Sequence, residues 1–418
     1  MIRAGVDAVS ARRVITRAFA EPEVAQVLSG RALHVIAVGK AAAAMAAAFA
    51  ALPHLAIRQA TAIGTHAHAE LPPTVEWIES SHPFPDARSE AAGNRAIAIA
   101  QAVHSGEALV ILLSGGASAL MASPVDGLSL ADKIDTTRLM MASGADIHAL
   151  NTVRRHLSKV KGGRLAAACV GTTLTLAISD VVGDDLHAIG SGPGVPDTTS
   201  WSDAAAALER FGGGAHSDRV RRVVRAGVDG RLPDTPKPGH PSVARVSARV
   251  IGSRLDAMGG ARAAAIERGY QAIVMPEPVT GEAREAGPAW FDRVRSLIGS
   301  SPRKVCVISS GETTVRVTGK GAGGRNLEFA LAIAESMATL PRSAMASIGT
   351  DGIDGSSGVA GGIVDSTTMA RAAQARLAPP DHFFTANDSF AFFAPLGDAV
   401  RLGRTDTNVG DLQVLLID

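Results

Sequence analysis

The chain has 418 residues, 46% of them hydrophobic and 19% charged, a balance that suits packed domains and excludes a disordered chain. Its 41 basic and 40 acidic residues leave a formal net charge of +1, so neither a nucleic acid nor a membrane surface is expected as main partner. At about 150 residues per domain, the length predicts two to three domains.

The opening stretch, "MIRAGVDAVSARRVITRAF", scatters charges and lacks an apolar centre, so no signal peptide is expected. The longest apolar stretch, after Lys40, is mostly alanine and stops at Pro53, too short to span a bilayer. The two cysteines, Cys169 and Cys306, lie far apart without metal-site spacing, which fits a reducing compartment and predicts a cytoplasmic protein.

"LHVIAVGKAAAAMAAAFA", "ALVILLSGGASALMA" and "TLTLAISDVVGDD" each join a short apolar run to a glycine turn, and in the first two an alanine-rich helical pattern follows. Unbroken apolar runs of this length predict strands buried on both faces, as in a parallel sheet covered by helices. Ligands bind such sheets beyond the carboxyl ends of the strands.

The loops after the runs carry the candidate chemistry. Lys40 stands at a helix mouth, where the dipole disfavours a cation, so a ligand anion is its expected partner and a solvated lysine the alternative. "LLSGGASALM" sets Ser114, Gly115 and Gly116 before a helix expected to begin near Ser118, a backbone suited to an anion or a plain strand-to-helix turn. "NTVRRHLSKVKGGRLA" crowds Arg154, Arg155, His156, Lys159, Lys161 and Arg164 together, either as exposed helix charge or as a site for a small anion. In "ISDVVGDDLHAIGSGP", Asp180 follows a strand directly and is trailed by Asp184, Asp185 and His187. Such a carboxylate suits a Mg²⁺ ligand, a turn former or a helix cap, and His187 suits a general base or a structural helix-entry residue.

From Phe211 to His240, glycine, proline and charge mix, which predicts a surface helix and a linker, with a domain boundary near residue 237. Beyond it, "TTVRVT" alternates and predicts an antiparallel or edge strand. "TGKGAGGRNLEFALAIA" places Gly319, Gly321 and Gly324 in a G-x-G-x-x-G spacing. The alternating strand before it, the late position of Asp351 and Arg325 at the helix entrance argue against a dinucleotide loop. A glycine loop ending in arginine suits phosphate or carboxylate recognition, which makes Gly323, Gly324 and Asn326 binding candidates. "SIGTDGIDGSSG" adds Asp351 and Asp354, and "SSGETT" adds Glu312, as metal or proton-transfer candidates.

Together "VGKAA", "HPFPD", "LLSGGASALMASP", "LNTVRRHLSKVKGGRLA", "SDVVGDDLHAIGSGP", "SGETTVRVTGKGAGGRN", "GTDGIDG" and "NDSFAFF" resemble, in order, the glycerate 2-kinase family, whose C-terminal half is the MOFRL domain. The resemblance covers the chain from about residue 35 to its end. It implies two α/β domains, a Rossmann-like one over 1–237 with a largely parallel sheet and a mixed-sheet one over 238–418, with the active site in the cleft between them. It further implies ATP-dependent phosphorylation of D-glycerate at its 2-hydroxyl with Mg²⁺, Lys40 and Arg325 as catalytic cations, the Ser114–Ser118 loop as a ligand loop, and Asp180 and Asp351 near the metal. Ser310, Leu327 and Arg254 stand where the family usually has glycine, glutamine and asparagine. Members of the family also bear the name hydroxypyruvate reductase, so a nicotinamide-dependent reductase is one rival and a non-catalytic sensor of a phosphorylated metabolite another. The partners expected are the acceptor and the nucleotide, with a homodimer left open.

Overall fold

The structure is a computed structural model that describes residues 1–67, 71–299 and 304–418. The chain forms two compact units, one of Val14–Ile251 and one of Met1–Arg13 with Gly252–Asp418. They part after residue 251 and not after 237, for a physical reason. The expected linker is tied down: Asp197 N–H donates to Pro236 O at 2.8 Å, Thr235 Oγ1 to Asp197 Oδ2 at 3.0 Å, and Asp234 Oδ1 meets His156 Nε2 at 2.9 Å. The strand beyond it then joins the edge of the first sheet.

That sheet contains β1 (Ala32–Val38), β2 (Ala56–Gly64), β3 (Val75–Glu79), β4 (Ala108–Leu113), β5 (Thr172–Ile178) and β6 (Val246–Gly252), in the order β3-β2-β1-β4-β5-β6. β1 pairs in parallel with both β2 and β4, placing Val38 opposite Ile63 and Leu113. All residues of β4 are buried, as an apolar run covered on both faces must be. Helix Ala87–Gln101 covers one face with Ala92, Ala96 and Ile99 packed on Ile111 and Leu113. Truncating Ile111 to alanine there costs about 2–5 kcal/mol. The chain runs from β1 outward to β2 and β3, then returns to β4 on the other side, so the strand order reverses between β1 and β4, the usual place for a ligand site in such a sheet.

The second unit holds β7 (Gln271–Val274), β8 (Val279–Glu282), β9 (Val305–Thr314), β10 (Ser343–Gly349), β11 (Gly361–Asp365), β12 (Ala399–Val400) and β13 (Asp411–Ile417). The order is β12-β11-β10-β13-β9-β7, with β8 on β9; β7 and β8 run parallel to β9, while β13 runs antiparallel to it. The sheet is mixed, as expected, but "TTVRVT" is not an edge strand. β9 is central, stays buried from Val305 to Gly311, and ends at Thr314, so Val315–Thr318 lie outside the sheet. Helix Ile2–Ala8 belongs to this unit and packs on helix Arg254–Glu267, where a Cβ on Gly5 would meet Leu412 Cδ2 at 2.7 Å and Ala257 O at 2.9 Å. Among the described residues no helix is long and apolar enough to cross a membrane.

Candidate active site

The loops after β1 and β4 are stitched to each other. Lys40 N–H donates to Gly115 O at 2.8 Å, and Ala41 N–H donates to Ser114 Oγ at 3.0 Å. Ser114 is wholly buried, so its hydroxyl holds the Lys40 turn and does not face a ligand, contrary to the expectation for it. The expected helix after Gly116 is a single turn, Ala117–Leu120, too short for much of a dipole. Gly116 opens the turn at φ 85, a left-handed backbone that glycine adopts freely. A Cβ there would lie 3.1 Å from His82 Cδ2 and 3.5 Å from Lys40 Cγ. Asp180, following β5, sets its carboxylate directly against Gly115, leaving no space for a side chain at that position. Lys40, His82, Gly115, Gly116 and Asp180 therefore form one cluster at the carboxyl ends of the parallel strands. Burial, with Lys40's charge second, pushes the His82 imidazole below its usual value, so it is neutral at pH 7. "HPFPD" offered no sign that its histidine would join the cluster.

The basic stretch divides between two jobs. Arg155 pairs with buried Asp197 at 3.0 Å, His156 with Asp234, Lys159 with exposed Asp126 at 2.6 Å, and Arg164 donates to Pro233 O at 3.2 Å. These groups hold the fold. Lys161 instead turns inward and is buried; its ammonium donates to Ser118 O and Ser118 Oγ, both at 2.9 Å, and to Gly190 O at 3.4 Å. It lines a cavity of about 320 Å³ with Arg154, Lys133, His82, Gly116 and Ser118. Burial depresses all three cations: Lys133 to about 7, Lys161 well below the usual lysine range, and Arg154 below the usual guanidinium range.

In the loop after β5, Asp185 Oδ1 accepts from His187 N–H at 2.9 Å, and His187 O accepts from Arg155 Nη1 at 3.3 Å, so His187 sits in a turn anchored through its backbone. Asp184 adopts φ 56, and its Oδ1 is buried without a hydrogen-bond partner. Among the described residues no three His, Cys, Asp or Glu side chains converge as a metal cage. Mg²⁺ does not need one, since it is held by one or two carboxylates with phosphate and water completing its shell. The orphaned Asp184 oxygen, in the loop that begins with Asp180, fits such a cation.

The second unit builds its own charged site around Arg325. Its Nε donates to Asp411 Oδ1 at 3.0 Å and its Nη1 to Glu312 Oε1 at 2.7 Å. Burial works against the guanidinium, but Asp411 and Glu312 outweigh it and hold it firmly protonated. Buried Asn326 donates to Asp411 Oδ1 at 2.8 Å and accepts from Ser347 Oγ at 2.7 Å. Asp354 caps the helix Arg325–Ala332, accepting from Asn326 N–H at 3.0 Å and Leu327 N–H at 2.8 Å. Burial pushes the Asp354 carboxyl up to about 7. Asn326 and Asp354 are thereby committed to supporting Arg325, and Gly324 packs onto Asp354. Asp351 Oδ1 accepts from Ile353 N–H at 3.1 Å in the turn after β10, and Arg254 donates to Ser310 Oγ at 3.3 Å.

The glycine loop is occupied by protein. Asn387 Oδ1 accepts from Thr318 and Gly319 N–H, both at 2.7 Å, and Asp388 Oδ1 accepts from Ala322 N–H at 2.9 Å. Gly323 N–H reaches Ser356 Oγ at 3.3 Å. Gly319 and Gly321 are small because the 386–388 segment passes against their Cα atoms, and side chains from that segment take the place a pyrophosphate would need.

The fold and the Lys40 cluster define a two-unit α/β protein with a doubly wound first unit and a mixed-sheet second one. Residues 1–225 match the DUF4147 family, a domain of unknown function, and residues 305–411 match the MOFRL family. The D-glycerate 2-kinase of Thermotoga maritima is 35% identical over 92% of this chain and 90% of its own, and the glycerate 2-kinase of Pyrococcus horikoshii 34% over 92% and 87%. A relative from Agrobacterium vitis, provisionally named hydroxypyruvate reductase, is 37% identical over 98% and 95%. The crystal structure of the Thermotoga maritima glycerate kinase superposes with a TM-score of 0.87 at 33% identity, covering 100% of this chain and 97% of that one. The chain belongs to the glycerate 2-kinase family.

Proposed function

We propose that the protein transfers the γ-phosphoryl group of ATP to the 2-hydroxyl of D-glycerate, with Mg²⁺ as the accompanying ion. The convergence of Lys40, Gly116 and Asp180 beside a cavity lined by cations carries this reading, together with the relatives named glycerate kinase. Phosphoryl transfer asks the protein mainly to position the reactants and neutralise charge. The acceptor oxygen forms its bond to the γ-phosphorus as the bond to the ADP oxygen breaks and the hydroxyl proton leaves to solvent, while Lys40 neutralises charge on the transferring oxygens. Arg325, fixed by Asp411 and Glu312, orients an anionic group of a substrate through its remaining donors. Asp180 and Asp184 are the carboxylates of the first unit that would hold Mg²⁺, which would supply charge neutralisation at the phosphate oxygens. The two cysteines are free and buried, which supports a reducing, cytoplasmic location.

With ATP, Mg²⁺ and D-glycerate, a coupled assay should register ADP release, and phosphorus NMR should identify 2-phosphoglycerate. Absence of ADP release with D-glycerate, hydroxypyruvate and tartronate semialdehyde alike would sink the reading. The reductase reading needs a dinucleotide loop, and the one candidate has its amides taken by Asn387 and Asp388. An NADH titration followed by fluorescence should therefore show no saturable binding.

A further inference from the structure

The cavity beside Lys40 has two chemistries. Lys133, Arg154 and Lys161 form a cationic side, while Pro83, Phe84 and Met141 form an apolar one. Lys161 has neutral acceptors in Ser118 and Gly190, so its burial has a structural reason. Lys133 has none: it is 8% exposed, and its Nζ has no hydrogen-bond partner. Arg154 repels it and Glu90 is the acid that favours its charge, while burial depresses it most. An ammonium buried in this way is costly unless something anionic arrives to meet it.

The apolar side decides what arrives. D-Glycerate offers one carboxylate and no apolar face, and about 320 Å³ falls in the ~300–1,000 Å³ range of sites for much larger ligands. Phe84 and Met141 are 57% and 58% exposed at this cavity, and Arg138 lies 5.3 Å from the Phe84 ring centroid, steadying the ring. A polyphosphate joined to a flat base matches both sides together. The geometry points to this cavity as the nucleotide subsite, with the polyphosphate on Lys133 and Arg154 and the base against Phe84. The choice of a nucleotide over other phosphate compounds rests on the kinase reading.

Calorimetric titration of the full-length protein with ADP, and separately with tripolyphosphate, tests the subsite without any acceptor. Lys133→Met and Arg154→Met should each weaken both ligands about tenfold or more, the scale of a charge-assisted contact in a desolvated site. Phe84→Ala should weaken ADP several-fold and leave tripolyphosphate unchanged; equal loss for both would overturn the placement of the base. In the steady state, Lys133→Met should raise the ATP KM and leave the D-glycerate KM alone. Unchanged ADP affinity in both cation variants, or a rise confined to the D-glycerate KM, overturns the proposal. Lys133→Met removes no hydrogen bond, and a circular dichroism melt confirms that the variant is folded. Intact ADP binding with no ADP release from any acceptor would remove the reaction and leave the subsite standing.

Discussion

The two units treat their cations in opposite ways. In the first, Lys133 is buried with no hydrogen-bond partner and Lys161 rests on neutral oxygens. In the second, Arg325 is clamped by two carboxylates before any ligand arrives. The first arrangement stores unfavourable electrostatics that an incoming anion relieves, so it serves affinity. The second is neutralised in advance and rigid, so it serves orientation.

Substitutions at the two principal cations should break the comparison most visibly. Lys40→Ala is expected to lower kcat about a hundredfold or more, the contribution of one preorganised charge, with no change in melting temperature since the side chain is exposed. Arg325→Ala should lower kcat on the same scale and also destabilise its unit by about 3–5 kcal/mol, because buried Asp411 is left without its cation. Equal melting temperatures for the two variants, measured by calorimetry, would erase the distinction.

A smaller effect sharpens it. Lys133 is held near 7 in the folded protein against 10.5 when exposed. Between those values the unfolded chain carries the extra proton, so stability contributed through this residue rises with pH across that window. Lys133→Met should flatten that slope and raise stability by about 1–3 kcal/mol at pH 7, measured by urea unfolding. Anion binding pulls the same equilibrium the other way. At pH 8, ADP binding should take up protons through Lys133, in the presence of Arg154, Lys161 and Glu90, and titrations in buffers of different ionisation enthalpy would count them. The smallest expected change is Asn387→Ala, which strips two amides of the glycine loop of their acceptor and should cost about 1 kcal/mol of stability.

Much of this was legible in the residues, and the rest was hidden for identifiable reasons. β1, β4 and β5 announce themselves as apolar runs closed by a glycine or aspartate, so Lys40, Gly116 and Asp180 could be placed at strand ends in advance. Lys133 could not, because a lysine in "LADKIDTTRLMMA" reads as helix surface, and only packing beside Arg154 and Lys161 buries it. The glycine loop was visible as a pattern, but its partners, Asn387 and Asp388, lie more than 60 residues downstream. The Arg325–Asp411 pair spans 86 residues. Local pattern cannot pair groups so far apart.

The docking of Ile2–Ala8 against the distal sheet has a consequence for biosynthesis. Gly5 lies against Leu412, and Thr407 Oγ1 donates to Val9 O at 2.7 Å across 398 positions, so this helix has no complete seat until residues near 412 have left the ribosome. While translation proceeds, the early helix must wait, exposed, as the unit from Val14 to Ile251 folds. Trimming the leading thirteen residues should therefore lower the melting temperature of the far half of the polypeptide and leave the neighbouring half intact.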